Sequence, residues 1–189
     1  MALLKIAHVG HPVLRECARP VTREELATPE LQRFVDDLVE TMRDAGGAGL
    51  AANQVYRPIR LCVLELRAPH SFRPEWPLTV LANPVVKALD EERFDNYEGC
   101  LSVPELRARV PRWARIRVRG WNRDGSAFDR EIRGITAGTF QHEIDHLDGT
   151  LYLDRVTEPQ SICTAQNYAR YREEEYVAHA REIVARHGS

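Results

Sequence analysis

The chain has 189 residues, of which 43% are hydrophobic and 29% are charged, and its formal net charge at pH 7 is −2. This is the composition of an ordinary globular protein that can bury a core without disulfide bonds. The small net charge gives no electrostatic reason to expect binding to nucleic acid or to a membrane surface. The length predicts one domain over residues 1–189, with a charged tail from about residue 158.

The four cysteines are widely and irregularly spaced, and no two of them form a Cys-x-x-Cys pair. Disulfide frameworks are typical of small secreted chains, so this pattern favours a reducing compartment. No segment has the length of a membrane span, and the opening residues become charged too early for a signal peptide. We therefore expect a cytoplasmic protein.

The first predicted helix begins at Thr28-Pro29, because threonine caps helices and proline is favoured in the first helical turn. It runs to about Ala45, where Gly46-Gly47 stops it. The apolar residues at helical spacing on one side of this segment are Leu31, Phe34, Val35, Leu38, Val39 and Met42. The sequence therefore predicts an N-terminal amphipathic helix whose apolar side faces the core.

Several later segments have the patterns of strands and their connections. An apolar strand is predicted at residues 59–66, and within it Cys62 is expected to be a small buried hydrophobe. Proline interrupts residues 70–77, which predicts a loop. Asn83-Pro84 predicts a turn between two extended segments.

Residues 114–121 alternate apolar and arginine side chains, and the Asn-Arg-Asp-Gly turn at 122–125 leads into a second alternating segment. This pattern predicts a β-hairpin with a solvated arginine face. Residues 151–153 predict a short strand and residues 173–186 a solvated helix, whereas residues 161–168 leave loop, strand and helix open. Because the strands occur in hairpins separate from the helices, the predicted fold class is α+β.

A Gln-His-Glu-Ile-Asp-His-Leu-Asp-Gly segment occupies residues 141–149. His142 and His146 are four apart, so a helix places both imidazoles on one face. Such a pair can bind a metal ion, and Glu143 beside it can act as a base toward water at that metal. Gly149 is typical of a helix end. Because His-Glu-x-x-His also arises by chance on surface helices, the segment predicts a metal site only together with other residues.

A catalytic metal site needs a third protein ligand and one open position. Asp154 and Glu158 follow the histidines, but not in the contexts expected of a metalloprotease ligand. Cys100 lies in a Glu-Gly-Cys-Leu-Ser segment outside any periodic core pattern, and a thiolate there would partly offset the charge of a divalent ion. We therefore expect Cys100 to complete the site; the alternative is a cysteine in a turn without a ligand role.

A third segment, residues 47–54, is dense in glycine and alanine, which lets another backbone or a substrate approach closely. It lacks the Lys-Ser/Thr pair of a phosphate-binding loop, and no strand precedes it, so nucleotide binding is disfavoured. Gln54 at its end can donate an amide hydrogen bond to a bound group.

Together the three segments resemble the peptide deformylase family, whose patterns are G-x-G-L-A-A-x-Q, then E-G-C-x-S, then Q-H-E-x-D-H-L-x-G. Every defined position matches, in the same order. The likeness also includes Val103-Pro104-Glu105 and covers about residues 8–157, but not the tail. It implies antiparallel β-sheets packed around a central metal-binding helix.

By this resemblance, Cys100, His142 and His146 bind one metal ion. Glu143 then moves a proton while water at the metal attacks the formyl carbon of an N-formylmethionyl peptide, which releases formate. The expected metal is Fe²⁺, for which Zn²⁺, Ni²⁺ or Co²⁺ can substitute. The implied substrates are nascent chains in a bacterial-type cytoplasm, so the ribosome is an implied partner.

The resemblance also assigns supporting residues. Gln54 and the backbone N–H of Leu101 are expected to stabilise the oxyanion. Glu98 and Gln141 are expected to hold the ligands in place. The residues expected to line the substrate pocket are Ala48, Gly49, Gly99 and Gly138. Two of them are small where many relatives have larger side chains, which predicts a roomier pocket for the side chain after the formyl group: Ala48 and Gly138.

Three alternatives remain at this point. A metallopeptidase of the His-Glu-x-x-His type would cleave unformylated peptides and would not need Cys100. A non-catalytic metal or redox sensor would use the thiolate and would not need Glu143. A related hydrolase would retain the chemistry but remove a larger acyl group than formyl.

Overall fold

The computed structural model describes residues 2–67 and 74–188. The helices in these residues are α1 (Arg23–Leu26), α2 (Pro29–Asp44), α3 (Gly134–Leu147), α4 (Ala165–Tyr171) and α5 (Glu173–His187). The strands are β1 (Gly49–Ala51), β2 (Leu61–Leu66), β3 (Trp76–Ala88), β4 (Arg93–Cys100), β5 (Val103–Trp113), β6 (Arg115–Trp121), β7 (Ala127–Arg133) and β8 (Cys163–Thr164). Antiparallel sheets combined with helices confirm the predicted α+β class. Residues 70–73 of the predicted loop lie outside the described residues.

Over the described ranges, the strands form one five-stranded sheet, in the order β1-β2-β3-β6-β7, and one three-stranded sheet, in the order β4-β5-β8. Helix α3 contacts strands of both sheets, and most of its side chains are buried. The helix that bears the two histidines is therefore shielded from solvent along most of its length. None of the helices between residues 2 and 67 or 74 and 188 has the length and apolar character needed to cross a lipid bilayer.

Helix α2 follows from its end residues and its apolar side. The hydroxyl of Thr28 accepts a hydrogen bond from the Leu31 N–H, and Pro29 occupies the first turn. After the last helical residue the chain turns at Gly46, whose φ is +65°. The buried residues of α2 that join the core with β1 and β2 are Leu31, Val35, Leu38, Val39 and Met42.

The predicted turn at Asn83-Pro84 is wrong, because β3 continues through it as one strand with a bulge. Its register with β6 shifts between Ala82 and Val85. Asn83 adopts a left-handed conformation, with φ of +49°, which asparagine tolerates better than most residues. Its side chain pairs with both backbone groups of Val21, at 2.9 Å and 2.7 Å. This pairing satisfies the asparagine amide inside the fold instead of in a turn.

The β4–β5 hairpin was not predicted, although Cys100 ends its first strand. The side chains of β4 that point inward are Phe94, Asn96, Glu98 and Cys100. Because polar groups occupy the inward face, the strand lacks the apolar alternation by which a half-buried strand is recognised. The predicted β6–β7 hairpin, in contrast, is confirmed, with Ile116 and Val118 buried.

The C-terminal part also differs from prediction. Residues 151–153 do not form a strand, because a 3₁₀ turn occupies Tyr152–Arg155 and the Asp154 carboxylate accepts the Leu151 N–H at 2.8 Å. The predicted solvated helix is present as α5, but one side of it is buried against α3 and β4. Three residues of α5 pack into a hydrophobic core with Phe94 of β4 and Ile135 of α3: Tyr176, Ala180 and Ile183.

Candidate metal centre

Helix α3 places His142 and His146 one turn apart, with ring centroids separated by 5.0 Å. Cys100 at the end of β4 brings its Sγ to 3.2 Å from Nε2 of His146. One ligand atom from each of the three residues lies within 4.8 Å of the other two. A sulfur and two imidazole nitrogens this close together form a donor set that suits a transition metal ion with an open position. The fold thus brings together the three residues predicted as ligands.

The charges at this cluster favour the thiolate. Burial opposes ionisation of Cys100, but the imidazoles of His146 and His142 outweigh it and hold the thiol pKa well below its usual value. Burial also opposes the charged form of His142, yet its contacts with Cys100 and Glu98 raise the His142 pKa well above its usual value. The thiolate is the form of cysteine that binds metal ions.

Glu98 orients one of the two imidazoles. Its Oε2 lies 2.8 Å from Nδ1 of His142, and only 5% of the Glu98 surface is exposed. A carboxylate that accepts the Nδ1 proton fixes the tautomer and leaves Nε2 as the basic nitrogen. The supporting role of Glu98 stays a prediction, and this contact is the observation on which it depends.

The arginine that holds this carboxylate has no recognisable pattern in the sequence. Arg112 on β5 is buried and donates to both oxygens of Glu98, at 2.7 Å and 2.8 Å, and to Asp145 at 2.6 Å. Burial opposes these charges, but their pairing keeps the pKa of Glu98 below and that of Arg112 above its usual range. Arg155 makes two further bonds of 2.5 Å to Asp145. Three of these residues are named below as the buried charge cluster: Glu98, Arg112 and Asp145. The side chain of Arg155 is 46% exposed and covers the cluster from the solvent side.

Glu143, the residue after His142 on α3, is buried without the arginine partner that Glu98 has. It is 4% exposed, and burial raises its pKa to about 7. Among the residues that the structure describes, none forms a hydrogen bond with its Oε2. A Cβ added to Gly49 of β1 would lie 2.4 Å from the Glu143 carboxyl group, so only glycine leaves room for it. Gly49 therefore contacts this carboxylate directly.

The side chain of Gln54 is held in one orientation. Its Oε1 accepts the Ala51 N–H at 2.8 Å, so its amino group faces Cys100 Sγ at 3.5 Å and Ser102 Oγ at 3.0 Å. The amide of Gln54 is therefore a donor beside the sulfur of Cys100. The side chain of the neighbouring Leu101 packs against the core formed by α2, β1 and β2.

Three other predicted residues contact neighbouring strands. The side chain of Gln141 pairs with both backbone groups of Trp113, at 3.0 Å and 2.9 Å, so it fastens α3 to β5 and makes no direct bond to either histidine among the described contacts. A Cβ on Gly99 would meet the Arg107 guanidinium at 2.1 Å. The backbone carbonyl of Ala48 accepts the Glu65 N–H at 2.9 Å.

Gly138 packs against β4, and its place at a substrate pocket stays a prediction. A Cβ at this position would lie 3.2 Å from Nδ2 of Asn96 and 3.3 Å from Cζ of Phe94. The space beside this glycine is thus filled by β4. The expected roomier pocket has no support from Gly138.

Comparison with known sequences identifies the family. The model of the family "Polypeptide deformylase" matches residues 3–161. The chain belongs to the polypeptide deformylase family. A peptide deformylase of Bordetella pertussis is 43% identical over 155 residues, which are 81% of this chain and 87% of that protein. A peptide deformylase of Heliobacterium modesticaldum is 44% identical over 156 residues, covering 82% of this chain and 95% of the relative.

Solved structures of deformylases have the same fold. A class I type b peptide deformylase from Acinetobacter baumannii, solved with bound Met-Ala-Ser, aligns with a TM-score of 0.78 at 32% identity. The alignment covers 82% of this chain and 99% of that structure. Since the deformylase family model ends at residue 161, helices α4 and α5 lie beyond the matched region.

Proposed function

We propose that this deformylase removes the formyl group from N-formylmethionyl peptides and uses a divalent metal ion bound by Cys100, His142 and His146. Family membership supports the reaction, and the single structural observation that best supports the site is the meeting of one thiolate and two imidazoles beside a buried carboxylate. The relative solved with Met-Ala-Ser binds a peptide that begins with methionine, as the product of deformylation does.

The donor set fits a metal ion of borderline softness, because sulfur and imidazole ligands suit iron, cobalt, nickel and zinc alike. A bound divalent ion supplies positive charge that polarises the formyl carbonyl and makes a water molecule more acidic. We propose Fe²⁺ as the working metal. Affinity alone would favour zinc over ferrous iron, so the metal depends on availability and geometry.

Glu143 is the proposed proton carrier. Its pKa of about 7 lets the carboxylate accept a proton from the attacking water and return it to the departing amine near neutral pH. The unpartnered Oε2 leaves the group free to do both, and contact with Gly49 restricts where it can move. Formate and a free N-terminal amine are then the products.

Gln54 and Leu101 are the proposed donors to the oxyanion. The amide orientation of Gln54 is fixed by Ala51, so its N–H groups are arranged before the charge develops. Removing one such donor typically reduces the rate by about 10²–10³-fold. Ala48, Gly49 and Gly99 remain proposed neighbours of the substrate. Nascent chains on ribosomes in the cytoplasm are the proposed physiological substrates.

The decisive experiment measures formate release from formyl-Met-Ala by the Fe²⁺-loaded protein without oxygen, with acetyl-Met-Ala and Met-Ala as controls. We expect formate and free amine in equal amounts, little acetate, and no cleavage of Met-Ala. Replacing Glu143→Gln should lower the rate by about 10²–10⁴-fold while the metal stays bound.

Each alternative gives a different result. Cleavage of Met-Ala, with a Cys100→Ser variant that keeps metal and activity, would indicate a metallopeptidase. Metal binding without turnover, unaffected by Glu143→Ala, would indicate a sensor. Faster release of acetate than of formate would indicate a larger acyl group. Full activity only with Zn²⁺ would contradict the assignment of iron but not the proposed reaction.

A further inference from the structure

Helix α5 supplies a hydroxyl group to the hydrogen bonds that hold His142. The Tyr176 hydroxyl donates to Oδ1 of Asn96 on β4. Nδ2 of Asn96 donates to Oε1 of Glu98 at 3.2 Å, and Oε2 of Glu98 lies 2.8 Å from Nδ1 of His142. A continuous path therefore connects the tail beyond the family match to one of the proposed metal ligands.

Glu98 and Tyr176 hold the two ends of the Asn96 amide. An amide has a donor end and an acceptor end of nearly equal shape, and only the donor end is compatible with a carboxylate. The amino group therefore points toward Glu98, and the tyrosine hydroxyl donates to the remaining Oδ1. Without that donor, Oδ1 loses its hydrogen bond, and the position of the amide against Glu98 is less restrained.

The path lies in a dry part of the molecule, where water does not replace a lost bond. Tyr176 is 3% exposed and Asn96 is 7% exposed. Gly138 on α3 approaches the Asn96 amide so closely that a Cβ there would lie 3.2 Å from Nδ2. The absence of a side chain at Gly138 therefore leaves room for this amide.

We infer that Tyr176 is a positioning residue for the metal centre, which acts through Asn96 and Glu98 on the orientation of His142. The inference rests on the proposed function, because it takes His142 as a ligand. It also gives α5 a role in the active site beyond packing.

The test uses the full chain loaded with Co²⁺, whose visible absorption reports the ligands around the ion. Tyr176→Phe removes the hydroxyl and keeps the ring that packs on Tyr97, 5.8 Å away. Tyr171→Phe is the matched control, since Tyr171 is 64% exposed on α4. The measurements are the absorption spectrum, the rate of Co²⁺ release to excess EDTA, and the melting temperature.

We expect Tyr176→Phe to accelerate Co²⁺ release by about 3–10-fold, less than the roughly 10–100-fold loss in affinity typical for a direct partner of a ligand. The absorption bands should shift as well. Tyr171→Phe should leave both unchanged. In an Asn96→Leu background, Tyr176→Phe should add almost nothing, because the two residues act through one path.

A Tyr176→Phe protein with unchanged spectrum and release rate would overturn the inference, even if its melting temperature fell, because α5 would then only pack. Two other variants, Cys100→Ser and His142→Ala, test the proposed function separately. If these two variants bind Co²⁺ as well as the unaltered protein does, the proposed ligand set is wrong and the inference falls with it. If they lose Co²⁺ while Tyr176→Phe behaves like Tyr171→Phe, only the inference is wrong.

Discussion

Arginine–carboxylate pairs occur in two regions of this molecule, on the open face of the β6–β7 hairpin and in the buried charge cluster beside the histidines. On the hairpin, Arg117 donates to Asp129 at 2.6 Å and 3.1 Å, with 48% and 39% of the two side chains exposed. In the cluster, Arg112 bonds to Glu98 at similar distances, but its side chain is 2% exposed.

The difference shows that geometry alone does not determine what an ion pair contributes. Water screens the exposed pair, which is worth about 0–1 kcal/mol. A buried pair gains little over an apolar replacement of both partners, but losing one partner leaves an uncompensated charge. Removing one member of the buried charge cluster is therefore expected to destabilise the fold, and Glu98 is the member that contacts His142.

Arg112→Met should have the largest effect. It leaves the buried Glu98 carboxylate without its arginine and removes one of the two arginines that bond to Asp145. We therefore expect the free energy of unfolding to fall by about 3–5 kcal/mol. Urea denaturation followed by circular dichroism measures this change. A loss below 1 kcal/mol would mean that the two regions do not differ as described.

Gly49→Ala tests the placement of Glu143, which forms no ion pair with any residue in the described part of the chain. The new methyl group would meet the Glu143 carboxyl at 2.4 Å and displace it. Because a misplacement of about 1 Å can cost 10²-fold in rate, we expect kcat for formyl-Met-Ala to fall by about 10²-fold. Metal content should stay normal. An unchanged kcat would show that Glu143 tolerates displacement.

Glu98→Gln keeps the size of the side chain and removes its charge. The replaced group no longer accepts the His142 and Arg112 donors on both atoms, so metal affinity should fall by about 10–100-fold. Competition with a chelator measures the affinity, and Glu131→Gln on the hairpin is the matched control. Equal affinities of the two variants would contradict the orienting role.

Arg117→Met should have the smallest effect, because it breaks the exposed pair. We expect a change in unfolding free energy of less than about 1 kcal/mol, which disappears at about 1 M salt, where the Debye length is only about 3 Å. The effect of Arg112→Met should persist at that salt concentration. A larger or salt-resistant effect of Arg117→Met would place the hairpin pair in the same class as the buried one.

Elements are predictable from this sequence where the buried residues are apolar and the exposed residues are polar. Helix α2 and the β6–β7 hairpin have apolar residues on the buried side and charged residues on the other, so their patterns predict them. The three proposed ligands were recognised because their segments resemble one family. Their meeting at one place is a property of the fold that spacing alone does not provide.

The missed features have buried polar residues. Strand β4 turns Asn96 and Glu98 inward, and Arg112 on β5 is buried, so each resembles a solvent-facing position in the sequence. Their partners lie far away along the chain, and a single sequence contains no record of such pairs. The turn predicted at Asn83 is wrong for a related reason. Asparagine is typical of turns, but here it lies at a strand bulge, where its side chain bonds to the backbone of Val21.

The distances along the chain between contacting residues have a consequence for the order of assembly. Cys100 and His146 are 46 positions apart, and Tyr176 is 80 positions from Asn96. Contacts between distant segments form late, because closing a long loop loses entropy before any contact is gained. During synthesis from the N-terminus, Cys100 cannot meet the two histidines until α3 has emerged. The hydrogen-bond path from Tyr176 to His142 can be completed only after α5 has emerged. The reactive part of this molecule is therefore among the last to mature.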